Sequence, residues 1–62
     1  MNQATLKKRV AQYLFDTGTP RTSFCKRINI STTYLYKWLH DARTFSDDLT
    51  ERIDEYLNRF NY

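Results

Sequence analysis

Residues 21–38 run Arg21-Thr22-Ser23-Phe24-Cys25-Lys26-Arg27-Ile28-Asn29-Ile30-Ser31-Thr32-Thr33-Tyr34-Leu35-Tyr36-Lys37-Trp38, and their reading decides the fold. Phe24, Cys25 and Ile28 form the i, i+1, i+4 apolar set of a short helix over roughly 20–28. Asn29 follows at once and, after Gly, is the residue that best tolerates a left-handed backbone, so it ends that helix in a tight turn. Ile30 tucks under the turn, and Ser31 is a good N-cap for the next helix. There Leu35, Trp38 and Leu39 fall at i, i+3, i+4 and face the core. Thr32, Thr33, Tyr36, Lys37 and His40 are left facing outward.

Working outward, roughly residues 3–17 place Leu6, Val10, Ala11 and Leu14 at helical spacing, with Lys7, Lys8 and Arg9 mostly off that face. Gly18 sits where a helix end wants a positive φ. Thr19 is the expected cap of the next helix, with Pro20 in its first turn. After a connecting loop from Asp41 to Phe45, Ser46 caps a further helix, and Asp47, Asp48 and Glu51 lie near its positive end. Leu49, Ile53, Tyr56, Leu57 and Phe60 make its apolar stripe. No alternating run is long enough for a strand, and there is no repeat, linker or low-complexity stretch. The expectation is one all-α domain over residues 1–62, a compact bundle of four short helices, or five, containing a helix-turn-helix at about 20–40.

Composition narrows the chemistry. With 62 residues and one Gly, no phosphate-cradling Gly-rich loop can be built. Cys25 has no disulfide partner, and Cys25 with His40 is too small a set for a zinc site, so no metal and no cofactor are expected. No apolar run suggests a membrane span or a signal peptide, which points to a soluble, cytoplasmic protein with no membrane partner. A domain this small buries only about 60% of the surface its unfolded chain exposes. Its four Phe, five Tyr and one Trp, or a partner surface, must make up the shortfall. Charge is uneven: residues 1–43 carry eight Lys/Arg against two Asp, a net of +6, and residues 44–62 two Arg against five carboxylates, a net of −3. A polyanion-facing body with an acidic segment turned away fits that division, as does an ordinary mixed surface.

The run 21–38 resembles the helix-turn-helix of the Cro and phage-repressor family, the lambda-repressor-like fold. The small fifth position of that motif is Cys25, the turn position Asn29, and the apolar positions Phe24, Ile28, Ile30, Leu35 and Trp38. The motif covers about a third of the chain, and the flanking helices extend the likeness over nearly all of it. The chain departs from the family in two places. Asn29 stands where Gly is usual, and four helices are read where five are common, which removes the element of the usual dimer contact.

The resemblance puts Thr32, Thr33 and Lys37 at the family's base-reading positions, with Tyr36 beside them, and Arg21 at a phosphate-contact position. The chemistry agrees. A helix fits the major groove of B-DNA, where a threonine offers a hydroxyl and a methyl, and a lysine can donate to guanine O6 and N7. Ser31, Tyr34 and Arg43 supply hydroxyls and a guanidinium for phosphates at the groove edge, and His40 is a further candidate, strongest when protonated. Tyr34 and Tyr36 stay open between binding phosphate, stacking and covering the core. Trp38 reads as core and Cys25 as a packed small residue rather than a reactive thiol. The carboxylates at 47, 48, 51, 54 and 55 read as a solvated helix face rather than a metal cluster.

The function expected is a sequence-specific double-stranded DNA-binding regulator, a repressor or autoregulator occluding a promoter as a homodimer on a palindromic operator. Phe60 and Tyr62 are the candidates for the dimer contact. No small-molecule ligand and no enzymatic activity are expected, since no nucleophile–base pair can be named. The alternative is a helix-turn-helix-fold module that binds another protein, as an inhibitor or antitoxin-like partner does.

Overall fold

Asn2 begins the first helix, accepting hydrogen bonds from the amides of Ala4 and Thr5 at 2.8 and 3.2 Å. The computed structural model describes residues 2–62. Among them are four α-helices and no strand: α1 (Gln3–Thr17), α2 (Arg21–Ile28), α3 (Thr32–Leu39) and α4 (Asp47–Arg59). α1 packs on α4, and α2 packs on both α3 and α4.

Left-handed residues end the helices. Gly18 closes α1 at φ 66°, while Asn29, Asp41 and Asn61 adopt φ 61°, 62° and 62°. Behind each of the last three, the next amide reaches back five residues: Ile30 N–H to Cys25 O at 3.0 Å, Ala42 to Lys37 at 2.8 Å, and Tyr62 to Leu57 at 2.9 Å. These bonds satisfy carbonyls that a helix end would otherwise leave open. One glycine is enough because short side-chain amides and a carboxylate tolerate the same conformation. Ser31 and Ser46 cap α3 and α4, their hydroxyls accepting from the amides of Tyr34 (3.0 Å) and Leu49 (3.2 Å).

Some local expectations are corrected. Thr19 is not a cap: its hydroxyl lies 2.6 Å from that of Thr17. Pro20 takes the N-cap position with no side-chain bond. On α1 the core stripe is Leu6, Val10 and Tyr13, an i, i+4, i+7 set that turns Ala11 out to solvent and leaves Leu14 half-buried. Phe45, in the connecting loop, is buried as well.

The core joins Leu6, Val10 and Tyr13 to Phe24, Cys25 and Ile28, to Leu35 and Trp38, and to Leu49, Ile53 and Leu57. Much of it is aromatic. Tyr13 has Phe24, Tyr56, Phe60 and Tyr62 around it at centroid distances of 6.0, 5.4, 5.5 and 5.5 Å. Trp38 stacks on Phe45 at 4.3 Å. Burial raises the Cys25 thiol pKa, which suits a packed side chain rather than a nucleophile.

Two N-terminal cations are spent on holding the fold. Lys7 pairs with Asp41, whose pKa it lowers by hydrogen bonding. Arg9 donates to Asp54 at 2.5 Å, to Asn58 at 2.9 Å and to the Tyr62 backbone oxygen at 2.6 Å. This one side chain ties α1 to the last turns of α4 and the tail. Arg9→Ala should lower stability by about 1–3 kcal/mol, read as an earlier urea midpoint, with the tail amides losing hydrogen-exchange protection first.

The phenols of Tyr56 and Tyr62 have pKa values raised above the ordinary value, chiefly by burial, with hydrogen bonding to Tyr13 and Asp16 respectively adding to it. A raised folded-state value means the native state holds these protons after the unfolded chain has lost them. Their contribution is therefore complete below about pH 10 and disappears as pH climbs through the folded values. The urea midpoint should fall above about pH 10, and less steeply in Tyr56→Phe.

Candidate nucleic-acid interface

α3 divides cleanly around its axis. At 100° per residue, Thr32, Tyr36, His40, Thr33 and Lys37 fall on one continuous arc, and Tyr34, Trp38, Leu35 and Leu39 on the other. The first five are exposed, Leu35 and Trp38 are buried, and Tyr34 and Leu39 are half-buried. The outward arc thus carries hydroxyls, a phenol, an imidazole and an ammonium, with no carboxylate.

α2 meets this arc at its N-terminal end. Arg21, Thr32, Thr33 and Tyr36 line one open concavity of about 300 Å³. Because Pro20 supplies no side-chain cap, the first amides of α2 keep unsatisfied donors and a positive partial charge beside Arg21. Tyr36 is 54% exposed; its ring rests against that of His40, one turn on, at 4.2 Å. Lys37 follows Thr33 by one turn and bears no ion pair among the described residues. Ser31 is exposed at the edge of this group; its oxygen accepts the capping bond, which leaves its proton to donate elsewhere.

Tyr34 and Arg43 form a separate pair. The Arg43 guanidinium lies 6.0 Å from the Tyr34 ring centroid, and that ring in turn lies 4.9 Å from Phe45. Tyr34 therefore covers the core with its body. Arg43 lines the open surface of the α3–α4 loop with Asp41, Ala42 and Thr44.

Phe60 and Tyr62 lie at the far end of α4, against α1. Tyr62 folds back, its hydroxyl donating to Asp16 at 3.1 Å, whereas Phe60 remains 44% exposed. The most exposed large apolar side chain, Phe15 at 85%, is not among the residues singled out above. Its signal was its position two residues beyond Tyr13, on the arc of α1 facing away from the core.

Among the described residues, no group of three or more His, Cys, Asp or Glu side chains is placed to hold a metal ion, and no helix is long and apolar enough to cross a membrane. No family model, curated protein or solved structure matches the chain.

Proposed function

We propose that this chain is a sequence-specific double-stranded DNA-binding regulator, a repressor or autoregulator of the Cro and phage-repressor type, acting in the cytoplasm. One observation carries the reading: the starts of α2 and α3 lie side by side, so that Arg21, Thr32, Thr33 and Tyr36 line a single open concavity. A major groove about 12 Å wide admits one helix, here α3. Thr32, Thr33, Tyr36 and Lys37 then read base edges. Arg21 and the free amides of α2 hold a flanking phosphate, and Ser31, Tyr34, His40 and Arg43 hold others along the backbone.

The charge distribution supports this reading. Asp41 is paired with Lys7 and Asp54 with Arg9, the remaining carboxylates of residues 44–62 lie on α4, and none lines the concavity at Arg21. One helix-turn-helix reads only a few base pairs, so two copies on a palindrome complete the site, with the half-exposed Phe60 available to the dimer contact. Bound there, the protein occludes a promoter.

Selection from a random duplex library, followed by a salt titration, tests the proposal. The expected result is an enriched palindrome whose affinity falls with a log–log salt slope of about −0.9 per phosphate neutralised. The exposed Phe15 favours a second reading, a module that binds another protein. Absence of enrichment, with background binding insensitive to salt, would select it.

A further inference from the structure

On the other flank of α2, its last turn and the outer face of α4 enclose a cleft of about 240 Å³ whose lining includes Arg27, Arg52, Glu55, Tyr56 and Arg59. We propose that this cleft binds a small phosphate-type oxyanion free in solution, a diphosphate or a compact phosphate monoester. Arg52 and Arg59 make no side-chain hydrogen bond or ion pair among the described residues. Arg27 makes one bond, to the Tyr56 hydroxyl at 3.0 Å. Glu55 is spaced three and four residues from the two α4 arginines, yet no ion pair joins it to either. Three guanidinium groups against one carboxylate leave the cleft positive, and an anion relieves their mutual repulsion.

Geometry narrows the ligand. Three arginines on two helices line the cleft, a donor set with more forks than a planar carboxylate with two oxygens can use, and one that suits a tetrahedral anion with several. The cleft, about 240 Å³ and open to solvent, is below the roughly 300–1,000 Å³ of sites that enclose drug-sized ligands, which suits a compact anion. Tyr56 fixes one wall: its oxygen takes the Arg27 bond and lies 2.6 Å from the Tyr13 hydroxyl. The cleft shares no lining residue with the concavity at Arg21. Arg27 lies about a third of a turn around α2 from Arg21 and about 9 Å along it, so the site is separate from the proposed reading face and does not depend on it.

The test is an amide-resolved NMR titration with inorganic pyrophosphate at constant ionic strength. It compares the wild type, the Arg52→Gln/Arg59→Gln double variant and Arg21→Gln. All three positions are exposed, so the fold is retained. Saturable shifts centred on residues 27–29 and 52–59 are expected. The double variant should weaken binding about tenfold or more, and Arg21→Gln less than about twofold. Glu55→Gln, removing the one opposing charge, should tighten it about threefold. Shifts that do not saturate, or saturate equally in the wild type and the double variant, overturn the proposal. So does a double variant that loses duplex DNA as Arg21→Gln does while the wild type shows no pyrophosphate saturation, which would assign these arginines to the DNA backbone.

Discussion

Trp38→Ala is expected to leave the chain without a cooperative urea transition at room temperature. Trp38 is completely buried and stacks on Phe45 with the ring planes 13° apart. Its indole N–H donates to the Gln3 side-chain oxygen at 2.6 Å. That same oxygen receives the Phe45 amide at 3.4 Å, and the Gln3 side-chain nitrogen donates to the Phe45 carbonyl at 3.3 Å. Removing the indole therefore opens a cavity, leaves Phe45 without its stacking partner and weakens the tie between α1 and the loop before α4. Truncating a buried Trp costs about 3–5 kcal/mol. At roughly 0.05–0.15 kcal/mol per residue, a domain of this length has only about 3–9 kcal/mol in total. Trp38→Phe preserves an aromatic ring but not the donor, so it should stay folded with an earlier midpoint. A Trp38→Ala protein with a transition close to wild type would show that the core does not depend on this stack.

The same loop marks where sequence reading stops. Helix positions were legible, and so were the faces of α2 and α3, where apolar spacing allows one solution with Phe24, Ile28, Leu35 and Trp38 inside. On α1 the same spacing pointed to Ala11 and Leu14, and the stripe instead runs through Tyr13. Asn29 announced its turn because nothing else in the run tolerates a positive φ so well. Asp41 and Asn61 adopt the same conformation but carry no local pattern that demands it; their role depends on which carbonyls the finished helices leave open. Phe45 lies in a segment with no period, and it becomes core only where its ring meets Trp38 and Tyr34 and its backbone is held by Gln3, forty-two residues away.

Charge was legible as a sum and not as an arrangement. Lys7 and Arg9 read only as basic residues off the apolar face of the first helix, yet both are tied to carboxylates distant in sequence. The outward group on α3 followed directly from helical period. Its meeting with Arg21 did not, since that depends on how α2 crosses α3, and no residue pattern within either helix encodes the crossing.

That meeting supports the second large expected effect, which separates base reading from phosphate holding. Thr33→Ala and Lys37→Ala should each cost about 1–3 kcal/mol on the selected duplex and relax preference at particular base pairs. On scrambled duplexes Thr33→Ala should change little, because its hydroxyl and methyl gain only when the matching base edge is present. Arg21→Ala should instead weaken selected and scrambled duplexes by similar factors and make the log–log salt slope shallower by about 0.9, one phosphate fewer. Arg21, Thr33 and Lys37 are all exposed, so circular dichroism should be unchanged and any loss belongs to the interface. The deciding quantity is the ratio of affinities for selected and scrambled duplexes. If Arg21→Ala lowers that ratio as much as Thr33→Ala does, the two roles are not divided between α2 and α3. If none of the three variants moves either affinity, the outward face of α3 is not the DNA surface.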